Sequence, residues 1–320
     1  VRTDLTEAMS LPPHAAKMLS AGLAASTSTA LFNPLDTLRV RWQVSPRSDP
    51  TASGGVLRYG MNIVRTEGLI EGLWRPGLTA NMLGMSLSAA VRFGYYETVR
   101  DGLVKLTSPT AACSGDGCTK NGAHMMVAGA LCGAVGYAWT TPFHLLKTVI
   151  QAEKGLISPN SIHLTGAQPG KRVHVDSLFT GMLTLARDNG VSSLYRGTLP
   201  LMMRGSLFTA GQMMGYDGVK TFAISHGSGD GLQLHLVASI AASFGASFLS
   251  APADLLMARY MTSNDTASIL HCIKEIYAEG GVSSFWRGWS LFFVRLTPVM
   301  LTYSTLYEQF RRSMGMGYLS

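Results

Sequence analysis

The 320-residue chain is poor in charge: Asp, Glu, Lys and Arg make up 14% of it, while apolar residues reach 47% and glycine 35 copies. Soluble domains carry about 25% charge, so the balance argues against an ordinary soluble enzyme. It suits a bundle of membrane helices with polar inner faces, because a charge inside a bilayer must face a cavity or a partner. A large soluble α-protein with a core rich in the 17 methionines is the alternative. The formal charge of +7 points to acidic partners, either anionic lipid or anionic substrate. Basic residues scattered along apolar segments, without a cluster of aromatics, argue against nucleic acid.

In chain order, the polar start VRTDLTEAMSLPPHAAKM has no apolar stretch of the kind a secretory signal needs. An apolar small-residue helix, AGLAASTSTALF, then leads into NPLDTLRVRWQ (33–43). GLWRPG (72–77) follows, then a second helix ending in YYETVR (95–100). After a Gly-rich loop holding Cys113 and Cys118 the order begins again. AGALCGAVGYAW leads into TPFHLLKTVIQ (141–151), followed by SLYRG (193–197) and GYDGVK (215–220). The third round reads VASIAASFGASFL, APADLLMARYM (251–261), SFWRG (284–288) and LYEQFR (306–311). Prolines 34, 142 and 252 are spaced by 108 and 110 residues, which marks a repeat architecture.

The boundaries expected are an extension 1–13, repeat one 14–105, a loop 106–122, repeat two 123–225, repeat three 226–314 and a tail 315–320. Repeat two carries a Gly/Pro/Ser insertion at 154–174. Small residues four apart, Gly129 with Gly133 and Ser239 with Ser243, let neighbouring helices approach closely. A proline within each first helix frees a carbonyl and bends the axis. Acid and base three residues apart share one helix face. The four cysteines show no zinc spacing, and no phosphate loop, dinucleotide fingerprint or nucleophile triad is present, so no enzyme chemistry, metal or cofactor is expected.

The threefold P-x-[DE]-x-x-[KR] pattern, with the aromatic–Arg–Gly and Tyr–acid–x–x–base elements, resembles the mitochondrial carrier family. The resemblance implies an all-α membrane protein of the mitochondrial inner membrane with six transmembrane helices. These form three pseudo-threefold repeats of about 100 residues, each with a short matrix helix and a proline-kinked odd-numbered helix. It further implies a matrix gate in which Asp36 pairs with Lys147 and Asp254 with Arg39, braced by Gln43 and Gln151. The third pair is replaced by His144 and Met257, and Met261 stands where the third brace would be. His144 reads either as a plain helix histidine or as a pH-sensitive gate residue. Losing both partners together is coherent, since one buried charge alone costs about 3–5 kcal/mol.

The resemblance assigns the cytoplasmic gate to Tyr96, Glu97 and Arg100, Tyr216, Asp217 and Lys220, and Tyr307, Glu308 and Arg311. Twelve residues before each tyrosine, where the substrate would bind, stand Gly84, Arg204 and Arg295; eight further on stand Arg92, Gln212 and Tyr303. Arginine suits bidentate capture of carboxylate, and arginines bonded only to helix ends are the alternative. The surrounding residues resemble the dicarboxylate, oxoglutarate and uncoupling subgroup, from which Gly84 departs. Arg75 and Gly77, Arg196 and Gly197, and Arg287 and Gly288 are assigned to bound cardiolipin, with Pro76 interrupting the first site. The function implied is exchange of small anionic metabolites. A structural subunit among other inner-membrane proteins and an uncoupling-type leak are the competing readings.

Overall fold

The computed structural model describes residues 12–45, 54–107, 122–153, 177–225, 232–263 and 268–314, all helical or in short turns among them. Repeat one folds into α1 (Pro13–Leu31), α2 (Asn33–Val44), a short α3 (Gly55–Glu67) and α4 (Leu78–Thr107). Repeat two forms α5 (Gly122–Glu153), α6 (Leu178–Asn189) and α7 (Thr198–Ser225). Repeat three forms α8 (Leu232–Thr262), α9 (Ile269–Gly280) and α10 (Trp289–Ser313). Cys113, Cys118 and the 154–174 insertion lie outside the described residues. Cys132 and Cys272 are free and buried.

The prolines act differently in the three repeats. The first segment is interrupted at Phe32, two residues before Pro34, whereas Pro142 and Pro252 sit inside unbroken helices. A break in the helix thus accompanies one of the three prolines. Asn33 contributes to that corner, because its side-chain amide donates to the carbonyls of Trp74 (2.5 Å) and Pro76 (3.2 Å). At Pro252 the carbonyl four residues back, that of Phe248, has lost its helical donor. It accepts the indole N–H of Trp286 at 3.1 Å instead. A further proline, Pro298, lies within α10.

The long helices form a closed ring. α1 packs on α4, α4 on α5, α5 on α7, α7 on α8, α8 on α10, and α10 returns to α1. At one end α2, α5 and α8 also touch one another. The short helices lie against that end by their apolar faces: Tyr59 and Ile63 of α3 join Leu38 and Leu73, and Cys272 and Ile276 of α9 join Leu255 and Leu256. Ser268 caps α9, accepting from the His271 amide at 3.2 Å.

Polarity is inverted relative to a water-soluble bundle. The interior holds Asp36, Arg39, Lys147, Arg204, Asp254 and Arg295, all buried. The outside shows apolar stripes at helical spacing, Val127, Leu131 and Val135 on α5 and Ile240, Phe244 and Phe248 on α8. Among the described residues, Val237–Thr262 is long and apolar enough to cross a membrane by length and composition.

The tightest helix approach is between α7 and α8. A Cβ on Gly211 would lie 2.3 Å from the Gly245 carbonyl oxygen, and one on Gly215 would lie 2.3 Å from that of Ala241. A Cβ on Gly129 would lie 3.2 Å from Thr209 Cγ2, as expected of a small-residue contact, whereas one on Gly133 would meet nothing within 4 Å. Gly211→Ala should therefore destabilise the protein by about 1–3 kcal/mol through overpacking. Gly133→Ala should be neutral or stabilising by up to about 1 kcal/mol through helix propensity. Thermal unfolding of the two purified variants in one detergent checks the order.

Candidate functional site

Two fully buried carboxylates organise the end of the ring where α2, α5 and α8 meet. Asp36 lies 2.5 Å from Lys147 Nζ, 3.2 Å from Arg39 one helical turn on, and 3.2 Å from Arg295 of α10. Asp254 lies 3.2 Å from Arg39, 2.8 Å from Arg204 of α7, and accepts from Gln43 Nε2 at 2.9 Å. Both expected gate pairs, Asp36 with Lys147 and Asp254 with Arg39, are present. Arg204 and Arg295 come to the same two acids, and that join was not anticipated from the sequence.

The ring of Phe292 lies beneath these charges. The Arg39 guanidinium sits 4.7 Å from its centroid, Arg204 5.7 Å and Arg295 6.0 Å. Three cations around one buried aromatic face are held apart yet favourably placed. Phe292 was not singled out in the sequence. The signal available was its repeat position, fifteen residues before the tyrosine, where the other repeats carry Asn81 and Leu201. Asn81 donates to Asn33 Oδ1 (2.8 Å) and Asp36 Oδ2 (3.0 Å). Gln151 does not brace the Asp36–Lys147 pair as expected. Its amide reaches Thr37 Oγ1 at 3.1 Å and Asn33 Oδ1 at 3.3 Å, because Asn81 already serves the aspartate.

Where the third pair is missing, the seam is apolar. Met257 and Met261 pack with Leu145, Leu146, Val149 and Leu201 in one buried cluster. His144 is 3% exposed, its ring edge-on to Tyr137 at 5.5 Å between centroids. A Cβ on Gly84 would lie 3.5 Å from His144 Nε2, so the two departures from the repeat pattern face each other. Of the other central positions, Arg92, Gln212 and Tyr303 are half-buried. The Tyr303 ring stacks on Tyr307 at 5.9 Å.

The aromatic–Arg–Gly elements join each repeat to the next. Gly77, Gly197 and Gly288 all have positive φ, and a Cβ on them would press on Gln151, Met261 and Gln43 at 3.1, 2.8 and 3.0 Å. Arg196 donates to Ser263 Oγ (2.9 Å) and Arg287 to Ser45 Oγ (3.1 Å) across the same seams. Arg75, followed by Pro76, turns outward to Glu71 and is 73% exposed. The second base of the motif holds a short helix: Arg41 forks onto Glu67 (2.7 and 2.8 Å) and Arg259 onto Glu279.

At the opposite end the ring of acid–base pairs is not formed among the described residues. Glu97 pairs with Lys17 of α1 at 2.8 Å, Arg100 pairs with its neighbour Asp101 at 2.9 Å, and Arg311 lies 5.7 Å from the Tyr307 ring. Tyr96 and Glu308 are half-buried, and the side chains of Tyr216, Asp217 and Lys220 lie outside those described. The molecule is thus closed at the proline end. Asp254→Ala, which strips Arg39 and Arg204 of a shared partner, should cost about 3–5 kcal/mol. Arg75→Ala should cost at most about 1 kcal/mol, and the melting temperatures of the two variants in detergent check the contrast.

The sequence model of the family described as mitochondrial carrier protein matches residues 11–106, 119–227 and 229–317. A "Mitochondrial substrate carrier family protein ucpB" of Dictyostelium discoideum is 28% identical over 309 residues, covering 93% of this chain and 96% of the relative. The human "Putative mitochondrial transporter UCP3" is 28% identical over 312 residues, covering 95% and 93%. A "Probable mitochondrial 2-oxoglutarate/malate carrier protein" of Dictyostelium discoideum is 28% identical over 299 residues, covering 90% and 86%. With all three repeats matched, the chain belongs to the mitochondrial carrier family and is a transporter of the mitochondrial inner membrane, not an enzyme.

Proposed function

We propose that the chain exchanges small dianionic metabolites, dicarboxylates above all, across the membrane by alternating access, with six of its helical segments spanning the bilayer. The observation that carries this reading is a charge count. Arg39, Lys147, Arg204 and Arg295 crowd around two carboxylates, Asp36 and Asp254, so the buried centre holds two positive charges in excess. Unbalanced charge in a low-dielectric interior calls for a partner, and a ligand with two negative groups supplies it. The relative named as a 2-oxoglutarate/malate carrier supports a dicarboxylate as that ligand.

The same contacts supply a mechanism. A dianion entering from the tyrosine end takes Arg204 and Arg295 as its partners in place of Asp254 and Asp36. Each arginine exchanges one carboxylate for another, a change near energetic balance, whereas pulling it free with nothing bound leaves a buried cation alone at a cost of about 3–5 kcal/mol. Release of these two ties separates α7 and α10 from the proline-end gate, which then opens by parting Asp36 from Lys147 and Asp254 from Arg39. The empty protein does not make the transition, so transport proceeds as exchange. Glu97 and Arg100 leave Lys17 and Asp101 to close the other end. Cardiolipin at the seams beside Gly77, Gly197 and Gly288 would steady the repeats, its phosphates at the amide ends of α4, α7 and α10.

Counter-exchange of labelled malate in liposomes holding the purified protein tests the reading. Arg204→Ala and Arg295→Ala should each cut the rate by about a hundredfold or more, the factor corresponding to a lost buried charge pair. Unaltered exchange in both would overturn it. Monocarboxylates of equal length should exchange poorly in the unmodified protein, because they balance one charge of two.

A further inference from the structure

Gly84 stands at the repeat position that Arg204 and Arg295 fill in the other two repeats, so this position supplies two arginines and no third. What faces Gly84 is a histidine from the neighbouring helix. A Cβ at position 84 would be 3.2 Å from Phe143 Cβ and 3.5 Å from His144 Nε2, so an arginine there would start against the imidazole edge. His144 Nε2 is buried and has no hydrogen-bond partner among the described residues. A buried polar nitrogen left unmatched costs about 1–3 kcal/mol, which a bound ligand would recover. The ring is wedged edge-on against Tyr137, itself 5.8 Å from the Arg204 guanidinium, so His144 and Arg204 flank one aromatic wall. The charged groups acting on His144 are Lys147, Arg204 and Asp36.

We propose that His144 Nε2 is the third substrate contact and makes the carrier selective for dianions that bear an uncharged hydroxyl. The inference rests on the dianion-exchange reading and deepens it. Two arginines take the two anionic ends, and the excess of charge leaves no call for a third anionic group. A hydroxyl both donates and accepts, so it matches Nε2 in either tautomer. A methylene in its place would leave the nitrogen unmatched, and a site built to bond a hydroxyl rejects the analogue without one. Gly84 is part of the device, because any side chain there would lie in contact with the imidazole.

The test compares malate with succinate, equal in length and charge and different by one hydroxyl, in liposome counter-exchange at one fixed pH. The unmodified protein should show a KM for malate at least about fivefold below that for succinate, the contribution of one neutral hydrogen bond. His144→Phe should bring that ratio to about one, and His144→Gln, whose amide reaches the place of Nε2, should retain the preference. Gly84→Ala, which puts a methyl against Nε2, should lower the ratio too and serves where the phenylalanine variant does not fold. No preference in the unmodified protein, an unchanged ratio in His144→Phe, or equal loss in His144→Gln overturns the proposal. Exchange that survives both arginine substitutions overturns the dianion reading itself. Exchange abolished by them, with the ratio unmoved in His144→Phe, overturns the His144 assignment alone.

Discussion

Everything at the closed end depends on two carboxylates that four cations share. Asp36 and Asp254 have no exposed surface, and without partners they could not stay ionised there. Arg39 bridges them, Lys147 and Arg295 complete the first, and Arg204 and Gln43 complete the second. These contacts join five of the helices, α2, α5, α7, α8 and α10, at one level of the ring. A change at either acid is therefore felt by several helices at once. The Phe292 ring beneath them restricts where the guanidiniums can go without competing for the carboxylates.

The closure is unequal around its threefold axis. Two seams are ionic and braced by amides, while the third is sealed by Met257, Met261 and leucines. Apolar packing lacks the directionality and partner choice of an ion pair, so contact area alone holds this seam. Lost polarity on one seam is matched by added polarity on another, where Asn33, Asn81, Gln151 and Thr37 form a buried network about Asp36. Within this network Asn81 Oδ1 and Gln151 Oε1 have no hydrogen-bond partner among the described residues. Repeat one supplies three of the four residues. It is also the repeat whose helix breaks before its proline.

Much of this was legible in the residues before any coordinates. The threefold spacing of Pro34, Pro142 and Pro252 announced the repeats, and a repeat turns one motif into a ring of partners. The resemblance to the carrier family then assigned Asp36 to Lys147 and Asp254 to Arg39, and the short helices to the stretches between the proline and aromatic–Arg–Gly elements. Glu97 shows where that logic stops. Its partner here is Lys17, from a part of the chain outside the motif, since an exposed acid pairs with whichever base the current conformation brings near. Arg75 shows another limit. One extra proline between it and Gly77 sends its side chain outward to Glu71, away from the seam that Arg196 and Arg287 clasp.

Residue type and spacing alone determined the family, the six long helical segments, the positions of the repeated acids and bases and the loss of one pair at His144 and Met257. Those properties follow from periodicity, which a chain carries without being folded. Only the tertiary structure decided that Arg204 and Arg295 bond Asp254 and Asp36, that Phe292 lies under three guanidiniums, and that Gly84 faces His144 Nε2. Each is a meeting of side chains from different helices, set by how closely two axes approach and how each helix is turned. Periodicity places a residue on a face of its own helix, but the distance across to the next is fixed by packing.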